Sequence, residues 1–555
     1  MSTEARARHG LALEITALTA VFGLIVISAC RVIWDIDVFW HIAAGRAFLQ
    51  EGALPSTDIF SAIDPEKTWI SFQWGYEVLV YGLDQLGGLH LVRFFHSGLM
   101  VLAFFLLWWG FRRRLSLGPW ISLFLLALVF VLFEDRIRIR PHVFNLLGWS
   151  ILFPWLARGP RRLDRVARLT HLAVVATWAN IHAGGALIYL VAAGTLPAGA
   201  LLGHLAARSE ASRADFKRAL VWYLWALIPA LISPNFVMGN VQALTMLGGT
   251  EQVIGEWFPS WHFLGIASST GHHLIGHYLA GLFPTLLLIL WLLCVVNLLV
   301  TRRRGDPRAD ETRRALPAWR VLLVLAMVVV SHRSVRFVYM AGLGLVFLWP
   351  VLALHLDRAT RGVIARRVAL GAMVLGLLAA AYQFNISVQH GSLDRAVARA
   401  FGDSPIDARR FPVAQADHLE ATRFRGRIFA QANWGGYLLY RLWPGVMVTA
   451  DGRGNYARGV ADDLGMLMDR RVMADARNGP LVETIYTRYP IDIVVHQTPT
   501  WPAGYRPDPA RWVRVQGDEK GAIWVRRGTI ASDGYLAAQR RNGGKRDARP
   551  STDSP

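Results

Sequence analysis

The chain has 555 residues, 54% of them hydrophobic, with 22 tryptophans and a formal net charge of +20. The apolar residues come in long runs and not in the periodic stripes of a soluble core, which excludes a soluble globular fold. The charge does not point to nucleic acid, because the arginines sit in short clusters between apolar runs; in a membrane protein that pattern reports orientation.

Arg6 and Arg8 precede the run from Leu11 to Cys30, which is charged only at Glu14. The run is long enough to span a bilayer and lacks a small-residue cleavage site, so it is expected to stay as an uncleaved first helix. Spans are expected at 11–33, 88–111, 118–134, 141–157, 168–182, 184–206, 219–233, 277–300, 318–334, 337–356 and 366–383, about eleven in all. Basic clusters follow every second one, among them Arg112, Arg113 and Arg114, then Arg158, Arg161 and Arg162, and later Arg302, Arg303 and Arg304. The loop from Asn235 to His277 has no Lys or Arg, and the loop from Trp34 to Gly87 has only Arg46 and Lys67. The basic turns are therefore read as cytoplasmic, the N-terminus as inside and the C-terminus as outside an inner membrane.

From Asn385 onward charge density rises and apolar runs shorten, as in Arg427 to Ala430 and Ile491 to Val495. The expected organisation is a membrane domain at 1–384 with its outer loop 34–87, a small α/β extracytoplasmic domain at 385–530, and a disordered tail at 531–555 rich in Arg, Gly, Asp, Ser and Pro. Cys30 and Cys294 both lie in apolar runs and suggest neither a disulfide nor a metal site.

The outer ends of the expected spans carry unusual polar residues. Trp34-Asp35-Ile36-Asp37-Val38-Phe39-Trp40-His41 puts two carboxylates and a histidine at the membrane surface. Phe39, Ile42, Ala43, Ala47 and Phe48 follow at a spacing that predicts an amphipathic interfacial helix over 38–51. Asp58 lies in the next turn, and a second amphipathic stretch, Trp74 to Leu86, leads into the second span. Later outer turns hold Arg136, Arg138, Arg140 and His142, then Asn180 and His182, then Glu251, Glu256 and His262, then His332, Arg333 and Arg336. These arginines run against the positive-inside trend, and an anionic group at the outer leaflet would offset them.

Taken singly, each has a plainer reading. Asp35 and Asp37 suit a solvated helix end, and Arg136 to Arg140 suit pairing with Glu134 and Asp135. His41, His142, His182 and His262 lack ligand spacing; His273 and His277 have it, with no third ligand beside them. The collection of carboxylates, arginines and amides on one side of the bilayer is what points to a site.

Asp35-x-Asp37-x-x-Trp40-His41, Gly45 and Gly52-x-Leu54-Pro55-x-x-Asp58-x-Phe60-Ser61 resemble the first outer loop of membrane GT-C glycosyltransferases of the bacterial polyprenyl-phosphate-dependent kind, such as glycosyltransferase family 39. Arg140-Pro141-His142-x-Phe144, Trp178-Ala179-Asn180-x-His182, Glu256-Trp257, Asn433-x-Gly435-Gly436-Tyr437-Leu438 and Asp451-Gly452-Arg453 fit the same group. The resemblance implies an all-α GT-C membrane bundle with a small extracytoplasmic α/β domain. It implies sugar transfer from a polyprenyl-phosphate donor onto a lipid, glycan or protein acceptor.

By that resemblance an outer-loop carboxylate is the general base, Asp35 first and Asp37 second. Arg138, Arg140, Arg333 and Arg336 would then stabilise the leaving phosphate, while Asn180 and His182 orient sugar hydroxyls. His41, Asp58, His142 and Glu256 complete the candidate binding residues. No cofactor is expected; the Asp-x-Asp pair leaves a divalent metal open without favouring it. Two other classes compete. A flippase for lipid-linked glycans would place polar groups near the midplane, whereas here they sit at one end. A non-catalytic scaffold of the same fold would tolerate replacement of the outer carboxylates.

Overall fold

The computed structural model describes residues 3–159, 165–248, 259–261, 275–303, 309–355, 404–455, 458–468, 470–473, 475–497 and 505–546. The expected span at 366–383 and the residues Glu251, Glu256, His262 and His273 lie outside them. The chain divides into two compact units, a helical one of Met1–Arg31 with Arg93–Asp403 and a mixed one of Val32–Val92 with Ser404–Pro555.

The protein is a multi-pass, mostly helical membrane protein. Among the described residues, Gly10–Ala29, Trp74–Arg114, Arg165–Ala207 and Gly281–Val300 are long and apolar enough to cross a membrane. A fifth crossing exists if Glu210–Leu231 and Phe236–Ala243, bent by 98°, count as one. Pro119–Phe133, His142–Leu156 and Tyr339–Leu354 are shorter apolar helices at three expected spans. At 1.5 Å per residue, a 15-residue helix such as His142–Leu156 reaches about 22 Å, less than the hydrocarbon thickness. The expected spans at 168–182 and 184–206 are two limbs of one helix, Arg165–Ala207, broken at His182.

Local sequence sets the helix ends. Pro119 opens its helix at a position where no amide donor is needed. Ser209 and Ser212 cap Glu210–Leu227 reciprocally. In the helical unit, small residues let helices approach. A methyl group placed on Gly199 would stand 2.3 Å from the backbone nitrogen of Trp319, and one on Gly185 would stand 1.9 Å from Asn145 Oδ1. Such close crossings are how membrane helices gain packing where no hydrophobic drive exists between them. Gly199→Ala is therefore expected to cost about 1–3 kcal/mol of stability, because the obstacle is backbone and not a flexible side-chain tip. The check is the thermal midpoint in detergent, which should fall for this variant and stay unchanged for Gly203→Ala, whose added methyl meets open space.

The mixed unit is built on a five-stranded sheet of β1 (Gly426–Ala430), β2 (Val446–Val448), β3 (Ile493–His496), β4 (Trp512–Gly517) and β5 (Ala522–Arg526). The order is β2-β1-β3-β5-β4. β1 runs parallel to β2 and β3, while β5 is antiparallel to β3 and β4. Phe429, Val482, Ile485, Tyr486, Ile491, Val494 and Trp512 form the core on one face. The loop 34–87 joins this sheet. Ser61 bridges Val448 at the β2 edge, with Val448 N–H donating to Phe60 O and Ala62 N–H to Val448 O. Ile33 pairs in the same way with Ile406.

The helix Asp37–Glu51 lies where amphipathic spacing predicts one, and it ends at Gly52 in the left-handed region, φ 67°. Residues 531–546, which composition assigns to the disordered tail, belong instead to the helix Ile530–Arg546. Tyr535 holds it, packing edge-on to Phe424 and hydrogen-bonded at 2.7 Å to His418.

Candidate active site

In the mixed unit, Asp35 and Asp37 flank the start of the helix Asp37–Glu51. Asp35 is 3% exposed, and its Oδ1 accepts the amide of Asp37 at 3.0 Å, a local turn that begins the helix. Asp37 is half-buried. Its Oδ1 lies against the backbone of Gly452, where an added methyl would stand 2.1 Å away. The same methyl would stand 3.0 Å from Trp40 Nε1, a buried indole nitrogen with no hydrogen-bond partner. Gly436 meets the other side of this stretch, 3.2 Å from Ile36 O by the same measure. The Asp-x-Asp, Gly-Gly-Tyr and Asp-Gly-Arg motifs thus touch one another, though some 400 residues of sequence separate the first from the last.

His41 belongs to a buried cluster. Its Nδ1 stands 3.4 Å from Glu77 Oε1, and Glu77 Oε2 accepts from Ser71 Oγ at 2.5 Å. Trp40 lies on one face of the imidazole and Tyr76 meets it edge-on. Gly45 packs on the Glu77 backbone, with no room for a side chain. Glu77 and Ser71 were not candidates from sequence; their signal is a lone acid in the first turn of an otherwise apolar helix start.

Asp58 sits in a buried ion network. Arg453 Nη1 donates to Asp58 Oδ1 at 2.7 Å, and its Nη2 and Nε donate to Asp451 at 2.6 and 2.9 Å. Asn455 Nδ2 donates to Asp58 Oδ2 at 2.8 Å, and the Phe60 amide also reaches Asp58. The guanidinium lies over the rings of Phe60 and Trp69 at 4.9 and 4.8 Å. Burial alone would lower the pKa of Arg453, but Asp451 and Asp58 outweigh it and the net shift is upward. The group stays charged, and the network fixes the loop on the turn Asp451-Gly452-Arg453.

In the helical unit, Arg136, Arg138 and Arg140 crowd a tight turn between Pro119–Phe133 and His142–Leu156, with Arg136 and Arg140 buried. The rings of His142 and His182 are 5.2 Å apart, and Arg336, Arg136 and Arg140 all act electrostatically on His142. His182 Nδ1 accepts the amide of Gly185 at 3.0 Å, across the break in its helix. Asn180 Nδ2 is used internally, donating to Ala176 O and Ile232 O at 2.8 and 2.6 Å. Arg333 is exposed, and Glu134 pairs with Arg31. This gathering of guanidinium and imidazole groups suits an anion with several oxygens, such as a phosphate. Among the described residues, no three His, Cys, Asp or Glu side chains converge as metal ligands. Of the candidates, the carboxylates Asp35, Asp37 and Asp58 with His41 belong to the mixed unit, and the described cations to the helical unit.

The apo crystal structure of the Archaeoglobus fulgidus oligosaccharyltransferase aligns at 12% identity over 87% of this chain and 69% of its own, with a TM-score of 0.48. ArnT from Cupriavidus metallidurans, bound to undecaprenyl phosphate, aligns at 13% identity over 95% of this chain and 99% of its own, with a TM-score of 0.45. No family model matches the chain, and no curated protein sequence matches it.

Proposed function

We propose that the chain is a membrane glycosyltransferase that moves a sugar from a polyprenyl-phosphate donor to an acceptor hydroxyl at the outer face of the inner membrane. The observation that carries this reading is the meeting of the three GT-C-like motifs at Asp37, where Gly436 and Gly452 both press on the start of its helix. In this reading the shorter apolar helices and Ala318–Arg333 count with the long ones, the two limbs of Arg165–Ala207 count separately, and the expected span at 366–383 is added, giving about eleven spans, a cytoplasmic N-terminus and an extracytoplasmic C-terminal region.

Asp37 takes the proton of the acceptor hydroxyl as that oxygen attacks the anomeric carbon. The bond from the anomeric carbon to phosphate oxygen breaks, and its electron pair leaves with the polyprenyl phosphate. Arg138, Arg140, Arg333 and Arg336 offset the charge growing on that phosphate, with His142 and His182 beside them. Half-burial leaves Asp37 more accessible than Asp35, so Asp37 takes first place as base and Asp35 supports it through its amide. His41 and Asp58 act by fixing the loop, and Asn180 and Glu256 remain proposed sugar contacts.

The test is transfer of labelled sugar from a panel of polyprenyl-phosphate donors to membrane acceptors, with the wild type beside Asp35→Asn and Asp37→Asn. Loss of transfer in one variant that inserts normally identifies the base. Full transfer by both variants refutes the assignment, and no transfer by wild type across the panel refutes the enzyme reading.

A further inference from the structure

We infer that Gly452 and Arg453 are positioning residues for the Asp37 carboxylate, so that the turn Asp451-Gly452-Arg453 sets the geometry of the proposed base. The inference rests on the glycosyltransferase reading above. Gly452 presents bare backbone to Asp37 Oδ1 and to the unpartnered Trp40 Nε1, and any side chain there would enter the space both occupy. Arg453 follows directly and is 6% exposed, locked to Asp451 and Asp58 and covered by two aromatic rings. The turn cannot shift without breaking those bonds. Gly435 ties the same region down from behind, since a methyl on it would meet Ala450 O at 1.8 Å.

A general base must be held to within about 0.5 Å, and a displacement near 1 Å costs on the order of 10²-fold in rate. The turn is therefore placed to control turnover without itself touching substrate. That separates it from a part that only keeps the fold together, whose loss lowers the amount of active protein and leaves kcat per folded molecule unchanged.

The experiment measures kcat and KM of the full-length chain in membranes, per folded molecule, with a donor that the wild type uses. Gly452→Ala leaves the ion-pairing side chains in place, and its methyl meets Asp37 and Trp40 first. It is expected to lower kcat about 10–100-fold with KM for donor and acceptor within about twofold. Arg453→Lys, the second variant, keeps the charge but loses the planar fork, and should show the same split with a smaller loss. Wild-type kcat in Gly452→Ala and Arg453→Lys, with Asp37→Asn inactive, overturns the inference and leaves the function standing. A loss confined to the amount of folded protein overturns it likewise. Transfer that survives Asp37→Asn overturns the inference together with the choice of Asp37 as base, and absence of transfer by wild type across the donor panel overturns the function as well.

Discussion

Asp37→Asn is expected to lower the rate of sugar transfer by about 10²–10⁴-fold, the range that a positioned general base contributes. The substitution is nearly isosteric. It keeps an oxygen that can lie against Gly452 and removes the capacity to take a proton, so donor binding should survive and single-turnover chemistry should not. Asp35→Asn is expected to lose much less, about tenfold, because the asparagine oxygen still accepts the Asp37 amide that Asp35 now holds at 3.0 Å. Single-turnover rates with labelled donor in vesicles separate the two. If Asp35→Asn abolishes transfer and Asp37→Asn retains it, Asp35 is the base and Asp37 its neighbour.

The second large effect concerns stability. Arg453→Met is expected to destabilise the mixed unit by about 3–5 kcal/mol, because removing one partner of a buried ion group strands the others. Asp58 is 1% exposed and Asp451 is 3% exposed, so neither can recover its hydration without opening the unit. Exchange of backbone amides in 446–455 should rise sharply in this variant. Adding Asp58→Asn and Asp451→Asn should recover at least half of the loss, since neutral amides leave no uncompensated charge behind. A triple variant no more stable than Arg453→Met would show that the aromatic stacking on Phe60 and Trp69, and not the charge pairing, dominates.

Helices and strands were legible in the sequence where a single segment decides them. The long apolar runs become helices, and the short runs at Arg427–Ala430 and Ile491–Val495 become β1 and β3 because branched apolar residues there can be buried on both faces. The break between 182 and 184 was legible as well, since the apolar pattern is interrupted at Asn180 to Gly185. What sequence hides is pairing over distance. Sequence offers Asp58 and His41 as candidate binding residues, and nothing near them in the chain indicates that Arg453 lies on the one and Glu77 beside the other. Nothing local indicates either that the side-chain amide of Asn180 donates to Ala176 and Ile232. The helix over 530–546 was missed because composition weighs Arg and Gly as unburiable, whereas Ser532 and Tyr535 are buried at its start.

The edge pairing of residues 60–62 with β2 has a consequence for biosynthesis. The loop is synthesised early, but its sheet partner follows only after the roughly 300 residues of the helical unit that separate the two segments. At about 5–20 residues per second that is a delay of some 15–60 s. Throughout it the loop carries an unpaired strand edge and an acid, Asp58, with no arginine to meet it. An open edge of this kind recruits other chains. A nascent chain stalled in the later spans should therefore be the aggregation-prone and protease-sensitive form of this protein, cut within 33–73, and release of the last 150 or so residues should be the event that closes it.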